Sequence, residues 1–341
     1  MQLFDKKINN LFVAWLSVSL LLVFSIIIVG GLTRLTNSGL SITEWELIEG
    51  ILPPLNEQKW ISYFDLYKQI PQFKILNPNM DLGEFKIIFY WEYFHRILAR
   101  IIGIFFLLPL LYFHLTKKIE KKYLLICYFI FLLIVVQGIV GWYMVKSGLV
   151  NVVTVSHYRL SIHLLMAFII ISALFWLLIN FRKTTYKNFL NFDKKNIPYL
   201  FLFLIIILQI ILGAFVSGLD AGRIYQTWPL MGYTFFPDDF IYHNYISFFD
   251  FNNHSLVQFY HRNFAYFITA YSFVLTYFIF KNKSKSLFTP IKIFILVLLI
   301  QIFLGILTLI SGLNILLASA HQISSVLLVF SSLNLYYNKI K

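Results

Sequence analysis

The stretch "YWEYFHRILARIIG", Tyr90 to Gly103, decides how the chain is read. Its apolar residues run on through "IFFLLPLLYF" to Phe113, which is long enough to cross a bilayer. Yet it carries Glu92, His95, Arg96 and Arg100 within nine positions. Ionisable groups at membrane depth are costly, and they mark function more often than packing.

The rest of the chain has the same character. Of its 341 residues 59% are hydrophobic and only 13% charged, against about 25% charged in ordinary soluble domains. Apolar runs near 11–31, 86–114, 123–145, 156–181, 198–219, 254–280, 287–310 and 314–336 predict eight spans. The fold class is therefore all-α, a polytopic membrane protein. The first run follows Lys6 and Lys7 without a small-residue cleavage pattern, so it reads as an uncleaved helix. A formal charge of +13 would suggest nucleic acid in a soluble protein. Here it collects at Lys6 and Lys7, in "KKIEKK" (117–122), at 182–195, at 281–285 and at the C-terminus. With eight spans these clusters share one side, which the positive-inside rule makes cytoplasmic. Both termini are then cytoplasmic, and the partner implied is a lipid bilayer, not nucleic acid. The single cysteine, Cys127, rules out an intramolecular disulfide and a cysteine-ligated cluster within one chain.

The chain also repeats itself. "QGIVGWYMVKSGL" (137–149) and "QIFLGILTLISGL" (301–313) share Q-x3-G-x5-S-G-L. "EYFHRILA" (92–99) resembles "QFYHRNFA" (258–265), and "GGLTRLTNSGLSITEW" (30–45) aligns with "GAFVSGLDAGRIYQTW" (213–228). Three matches in one order predict two pseudo-symmetric four-helix bundles of parallel topology. The expected halves are 1–190, with an outer loop at 32–85, and 191–341, with an outer loop at 220–253. Both loops are rich in aromatic residues, Pro and Gly, and read as structured caps.

Of eight histidines, His114, His243 and His254 fall at span ends or in a loop. His95, His163, His261 and His321 lie inside spans, and the repeat pairs His95 with His261 and His163 with His321. Each is roughly 7 to 11 residues from the outer end, so all four would form one layer about 10–17 Å deep. A lone imidazole there can simply bond a neighbouring helix, but four at matched depth point to ligation. Two imidazoles from facing helices suit a haem in a four-helix bundle better than zinc, which would want further ligands close by. Small residues four positions on, Ala99, Ala167, Ala265 and Ser325, together with Gly103, leave room for a flat macrocycle or simply pack helices. His157, six before His163, cannot share its face. Arg96, Arg159 and Arg262 can pair with haem propionates or snorkel to lipid phosphate.

The halves differ at one place. Glu92 stands three positions before His95, on the same helix face, and its counterpart is Gln258. Either Glu92 belongs to a reaction centre in one half, with a cofactor in the other, or it is a buried carboxylate paired with an arginine.

E-x-x-H-R at 92–96, the four histidines, the repeated Q-x3-G-x5-S-G-L and "TNSGLSITEW" together resemble the haem A synthase family over nearly the whole chain, in its proteobacterial and mitochondrial branch. The resemblance implies an oxidoreductase that converts a methyl group of haem O to a formyl group, giving haem A for terminal oxidases. Two hydroxylations and loss of water would yield the aldehyde. It implies that His261 and His321 hold the iron of a resident haem b, that His95 and His163 border the iron of the substrate haem, and that Glu92 is required for turnover. An electron-transfer partner, and haem O synthase as a candidate neighbour in a cell inner membrane, are also implied. Cysteine pairs found in the outer loops of other members are missing here. Two rivals remain in view: a di-haem b-type electron-transfer cytochrome, and a transporter with interrupted helices.

Overall fold

The computed structural model describes residues 2–45, 49–149, 153–183, 186–242 and 244–340. Ten α-helices run in the order α1 (Gln2–Leu35), α2 (Glu57–Gln69), α3 (Pro71–Leu76), α4 (Leu82–Thr116), α5 (Lys121–Gly148), α6 (His157–Arg182), α7 (Ile197–Gly218), α8 (His254–Lys281), α9 (Phe288–Ile310) and α10 (Ile315–Lys339). Among the described residues eight helices are long and apolar enough to cross a membrane. The chain is a multi-pass membrane protein. A helix satisfies every backbone polar group within itself, which is why apolar sequence of this length takes no other form in lipid. Each of the eight is continuous, Pro109 within α4 included, so the interrupted helices that a transporter would call for are not found among them.

The chain divides into two compact units, Met1–Leu178 and Ile179–Lys341. In the first, α4 packs on α1 and α5. In the first half of α1, Trp15 packs among Phe12, Phe106 and Phe113, with ring centroids 4.8 to 5.5 Å apart, and donates its indole N–H to Phe105 O at 3.3 Å. In the second unit α7 packs on α8 and α10, and α9 on α10.

The segment between α1 and α4 folds as a cap. In α2, Trp60, Phe64 and Tyr67 fall on one face by helical spacing. That face meets Phe85 and Phe89 at ring separations of 4.9 to 5.2 Å, and Leu40 and Ile42 close the cluster. Phe85 and Phe89 belong to α4, which begins before the apolar run does. An Asp81–Glu84 capping box satisfies its first turn. His163, His261 and His321 lie six or seven residues into their helices, whereas His95 lies thirteen into α4. The additional turns carry the cap.

The segment between α7 and α8 is ordered around Tyr225, whose hydroxyl meets Asp238 at 2.5 Å and Asp239 at 2.8 Å. Ser255, at the start of α8, donates to Asp239 at 2.5 Å. Burial, and then the two carboxylates, push the Tyr225 phenol well above its ordinary pKa. Phe236 packs edge to face on Phe240 and Phe259, and Phe248 lies tilted against Phe240.

Phe85 is fully buried at the junction of cap and bundle. Phe85→Ala is expected to cost about 3–5 kcal/mol, read as a lower midpoint of thermal unfolding in detergent. Asp81→Ala, which removes only the cap of α4, should cost about 1 kcal/mol.

Candidate haem sites

Each of the four membrane histidines lies against a glycine of a neighbouring helix. A Cβ built on Gly30 of α1 would stand 3.1 Å from the His95 ring, and one on Gly213 of α7 would stand 3.1 Å from His261. On Gly141 of α5 and Gly305 of α9 it would stand 2.8 Å from His163 and His321. Such approaches are shorter than van der Waals contact, so these positions admit no side chain while the imidazoles keep their places. The glycines of the repeat thus have a physical cause: they are the seats of the histidines.

One turn before three of these glycines stands a glutamine. Gln137 Nε2 donates to His163 O at 3.0 Å, and Gln209 Nε2 to His261 O at 2.9 Å. The Gln301 side chain accepts from Ser324, and its backbone carbonyl accepts from His321 Nδ1 at 3.1 Å. That last bond fixes one nitrogen of His321 as donor and leaves the other for a metal. Gln209, in register with Gln137 and Gln301, escaped the sequence reading. The signal for it was present, since Gln209-x3-Gly213 has the same spacing.

In the first unit the rings of His95 and His163 face each other with centroids 6.4 Å apart and planes inclined at 63°. An iron held by one nitrogen of each ring, with metal–nitrogen bonds of about 2.0–2.1 Å, separates the ring centres by roughly 6 Å. In the second unit His261 lies against Gly213 of α7 and His321 against Gly305 of α9. His163 Nδ1 and His261 Nδ1, buried without a hydrogen-bond partner, lie beside the seat glycines Gly141 and Gly213. The described residues contain no cluster of three or more His, Cys, Asp or Glu that could hold a metal. Paired imidazoles without further ligands close by fit a haem better than zinc. A Cβ built on Gly103 has nothing within 4 Å.

Glu92 is buried, and four donors occupy its two oxygens. Ser41 Oγ and Ile42 N donate to Oε2 at 2.8 and 2.9 Å, and Arg96 Nη2 and Nε donate to Oε1 at 2.6 and 3.1 Å. Arg96 also reaches Ile42 O at 2.9 Å and Glu44 O at 3.3 Å, and lies 5.1 Å from the ring of Trp45. In the other unit Gln258 Nε2 and Arg262 Nη2 both donate to Tyr225 O at 2.9 Å, and Arg262 Nη1 donates to Thr227 O at 2.9 Å and Leu230 O at 3.2 Å. The repeat aligns Ile42 with Tyr225 and Glu44 with Thr227, so both arginines bind equivalent loop carbonyls. Their guanidinium groups are used to fold the loops that follow α1 and α7. Arg262 Nε remains buried and unpartnered. His157 is buried at the start of α6 against Tyr158, with ring centroids 4.1 Å apart. The Arg159 guanidinium lies 5.0 Å from the Tyr143 ring. His243 lies outside the described residues.

A family model described as "Cytochrome oxidase assembly protein" (COX15-CtaA) matches residues 13–333. The chain belongs to this family. It is 48% identical over 330 residues to the heme A synthase of Pelagibacter ubique (strain HTCC1062), covering 96% of this chain and 97% of that protein. It is 41% identical over 331 residues to the heme A synthase of Bartonella quintana (strain Toulouse), covering 96% and 92%. The heme A synthase of Wolbachia pipientis wMel is 41% identical over 322 residues, covering 94% and 90%.

Substitution separates the glycines. Gly305→Ala and Gly213→Ala each press a methyl group on an imidazole, and purified protein should show a shifted or missing b-type haem spectrum. Gly103→Ala meets nothing and should leave the spectrum unchanged.

Proposed function

We propose that the chain is a haem A synthase, which oxidises a methyl group of haem O to a formyl group. The observation that carries this reading most directly is the facing His95–His163 pair, 6.4 Å apart, beside a carboxylate that the repeated half replaces by an amide. His95 and His163 border the iron of the substrate haem. His261 and His321 hold a resident haem b, which when bound supplies one-electron redox capacity. Oxidising a methyl group to a formyl group removes four electrons, so an electron-transfer partner is required. The basic clusters support a plasma (inner) membrane protein with both termini cytoplasmic and both caps facing outward. Relatives named for haem A synthesis give no support to a permanently di-haem electron carrier.

Glu92 has two candidate roles, moving protons or stabilising positive charge that develops during oxidation. With four donors already on its oxygens, the geometry favours a fixed charge over a proton carrier. Glu92 also draws Ser41, Ile42 and Arg96 together, and so shapes the loop beside His95. Arg96 and Arg262 remain candidates for haem propionates through the N–H groups that the loop carbonyls leave unused.

The test is expression with a supply of haem O, followed by haem extraction and chromatography. Wild type should yield haem A or its hydroxylated intermediate. Glu92→Gln should keep the b haem, because Gln258 shows that this framework accepts an amide there, and should lose product. Full conversion by Glu92→Gln would remove Glu92 from the reaction. His261→Ala and His321→Ala should each abolish the resident b-haem spectrum. Two unmodified b haems and no haem A from wild type would overturn the reading.

A further inference from the structure

Of the four donors on Glu92, two come from Arg96, which the repeat matches with Arg262, and one is the backbone amide of Ile42. The fourth is the hydroxyl of Ser41, and the repeat sets Ile224 at its place. Ser41 is 1% exposed and Ile224 47%. The loop that carries Ser41 fixes it in place. Thr36 Oγ1 lies 2.8 Å from Leu32 O and 2.7 Å from Ser38 Oγ, Asn37 takes a left-handed conformation (φ 53°), and Ser41 N donates to Ser38 O at 3.2 Å. Leu40 is buried against Gly148 of α5, where a built Cβ would stand 3.0 Å from its side chain. The Ser41 hydroxyl has one proton and two acceptors within reach, Glu92 Oε2 at 2.8 Å and Ile88 O at 3.3 Å. The shorter contact and the charge of the carboxylate direct that proton to Glu92.

A fixed charge stabilises charge that develops in a reaction only while it keeps its place and direction. Both Arg96 bonds end on Oε1, so the direction of the other oxygen is set by Ser41 and Ile42. Resting on the haem A synthase reading, we propose that Ser41 is a positioning residue of the reaction, which fixes Glu92 Oε2 and with it the direction of the carboxylate. Ser41 acts through Glu92 and not on the substrate. The second unit, which has an amide at position 258 and an isoleucine at position 224, needs no such hydroxyl. Thr33 provides the contrast. Its hydroxyl also reaches α4, at Trp91 O at 3.3 Å, and the repeat also sets an apolar residue, Val216, at its place. Its bond ends on the backbone of α4 and not on the carboxylate.

Membranes holding the full-length protein or a variant at equal level are supplied with haem O. The haem A formed is followed in time by extraction and chromatography, and the dependence on haem O gives kcat and KM. Ser41→Ala removes the donor and little volume. It should lower kcat about 10- to 100-fold, the worth of one hydrogen bond to a charged group, with KM for haem O and the b-haem spectrum as in wild type. Ser41→Thr keeps the hydroxyl and should recover most of the rate. Ser41→Cys, of similar size but a weak donor, should not. Thr33→Val should convert at the wild-type rate. Wild-type kcat in Ser41→Ala, or a rise in KM with kcat unchanged, overturns the proposal. So does an equal loss of kcat in Thr33→Val, which would mark a loosened loop and not the carboxylate. Should Ser41→Ala lose the b-haem spectrum, Ser41→Thr against Ser41→Cys decides, and equal rates in those two overturn it. Wild type that forms no haem A defeats the enzymatic reading instead, so the two failures are distinguishable.

Discussion

The structure depends on a close contact between an imidazole and a helix backbone. At four places a histidine ring approaches a neighbouring helix so nearly that a Cβ would stand 2.8 to 3.1 Å from it. A Cβ would force a shift at the two 2.8 Å approaches and would press the ring aside by a few tenths of an ångström at the other two. The contact sets the spacing of the helix pairs α1–α4, α5–α6, α7–α8 and α9–α10, and with it the positions of the imidazoles. Apolar side chains cannot do the same in lipid, where association between helices draws little on the hydrophobic effect and relies on close packing and polar ties. The glutamines one turn away supply such ties at three of the contacts.

The arginines and the residues at positions 92 and 258 form a second layer of order. Arg96 and Arg262 each gather the carbonyls of the loop that leaves the preceding helix, at equivalent positions in the two units. Where the first unit has a carboxylate that accepts from the loop, the second has an amide that donates to it. Ion pairs this buried contribute little net stability over an apolar alternative, because desolvation offsets attraction. Glu92 is therefore poorly explained as a stabilising device, since Gln258 shows that a neutral group serves the framework.

The number of spans, the all-helical class and the four intramembrane histidines were legible in the sequence, because hydropathy and rare polar residues are strong signals at membrane depth. The repeat was legible in its Q-x3-G and His-Arg matches. Three things were harder to see. The start of α4 was obscured because its first turns carry Glu84 and Lys86, and only packing against Trp60 and Phe64 makes them part of the helix. The arginine partners were not readable, since a backbone carbonyl from a loop leaves no mark in composition. The role of the repeated glycines was hidden because a seat for an imidazole looks, in sequence, like any small residue at a helix contact.

The departures from the repeat are informative because the rest is so regular. Seats, arginines and loop carbonyls correspond between the units. The polar positions that do not correspond include Thr33 against Val216, Ser41 against Ile224 and Glu92 against Gln258. These three lie together in the first unit: Ser41 Oγ donates to Glu92 Oε2, and Thr33 Oγ1 donates to Trp91 O, one residue before Glu92. The carboxylate and the hydroxyl that donates to it are thus present together in one half and missing together from the other, as groups kept for one site and not for the frame would be.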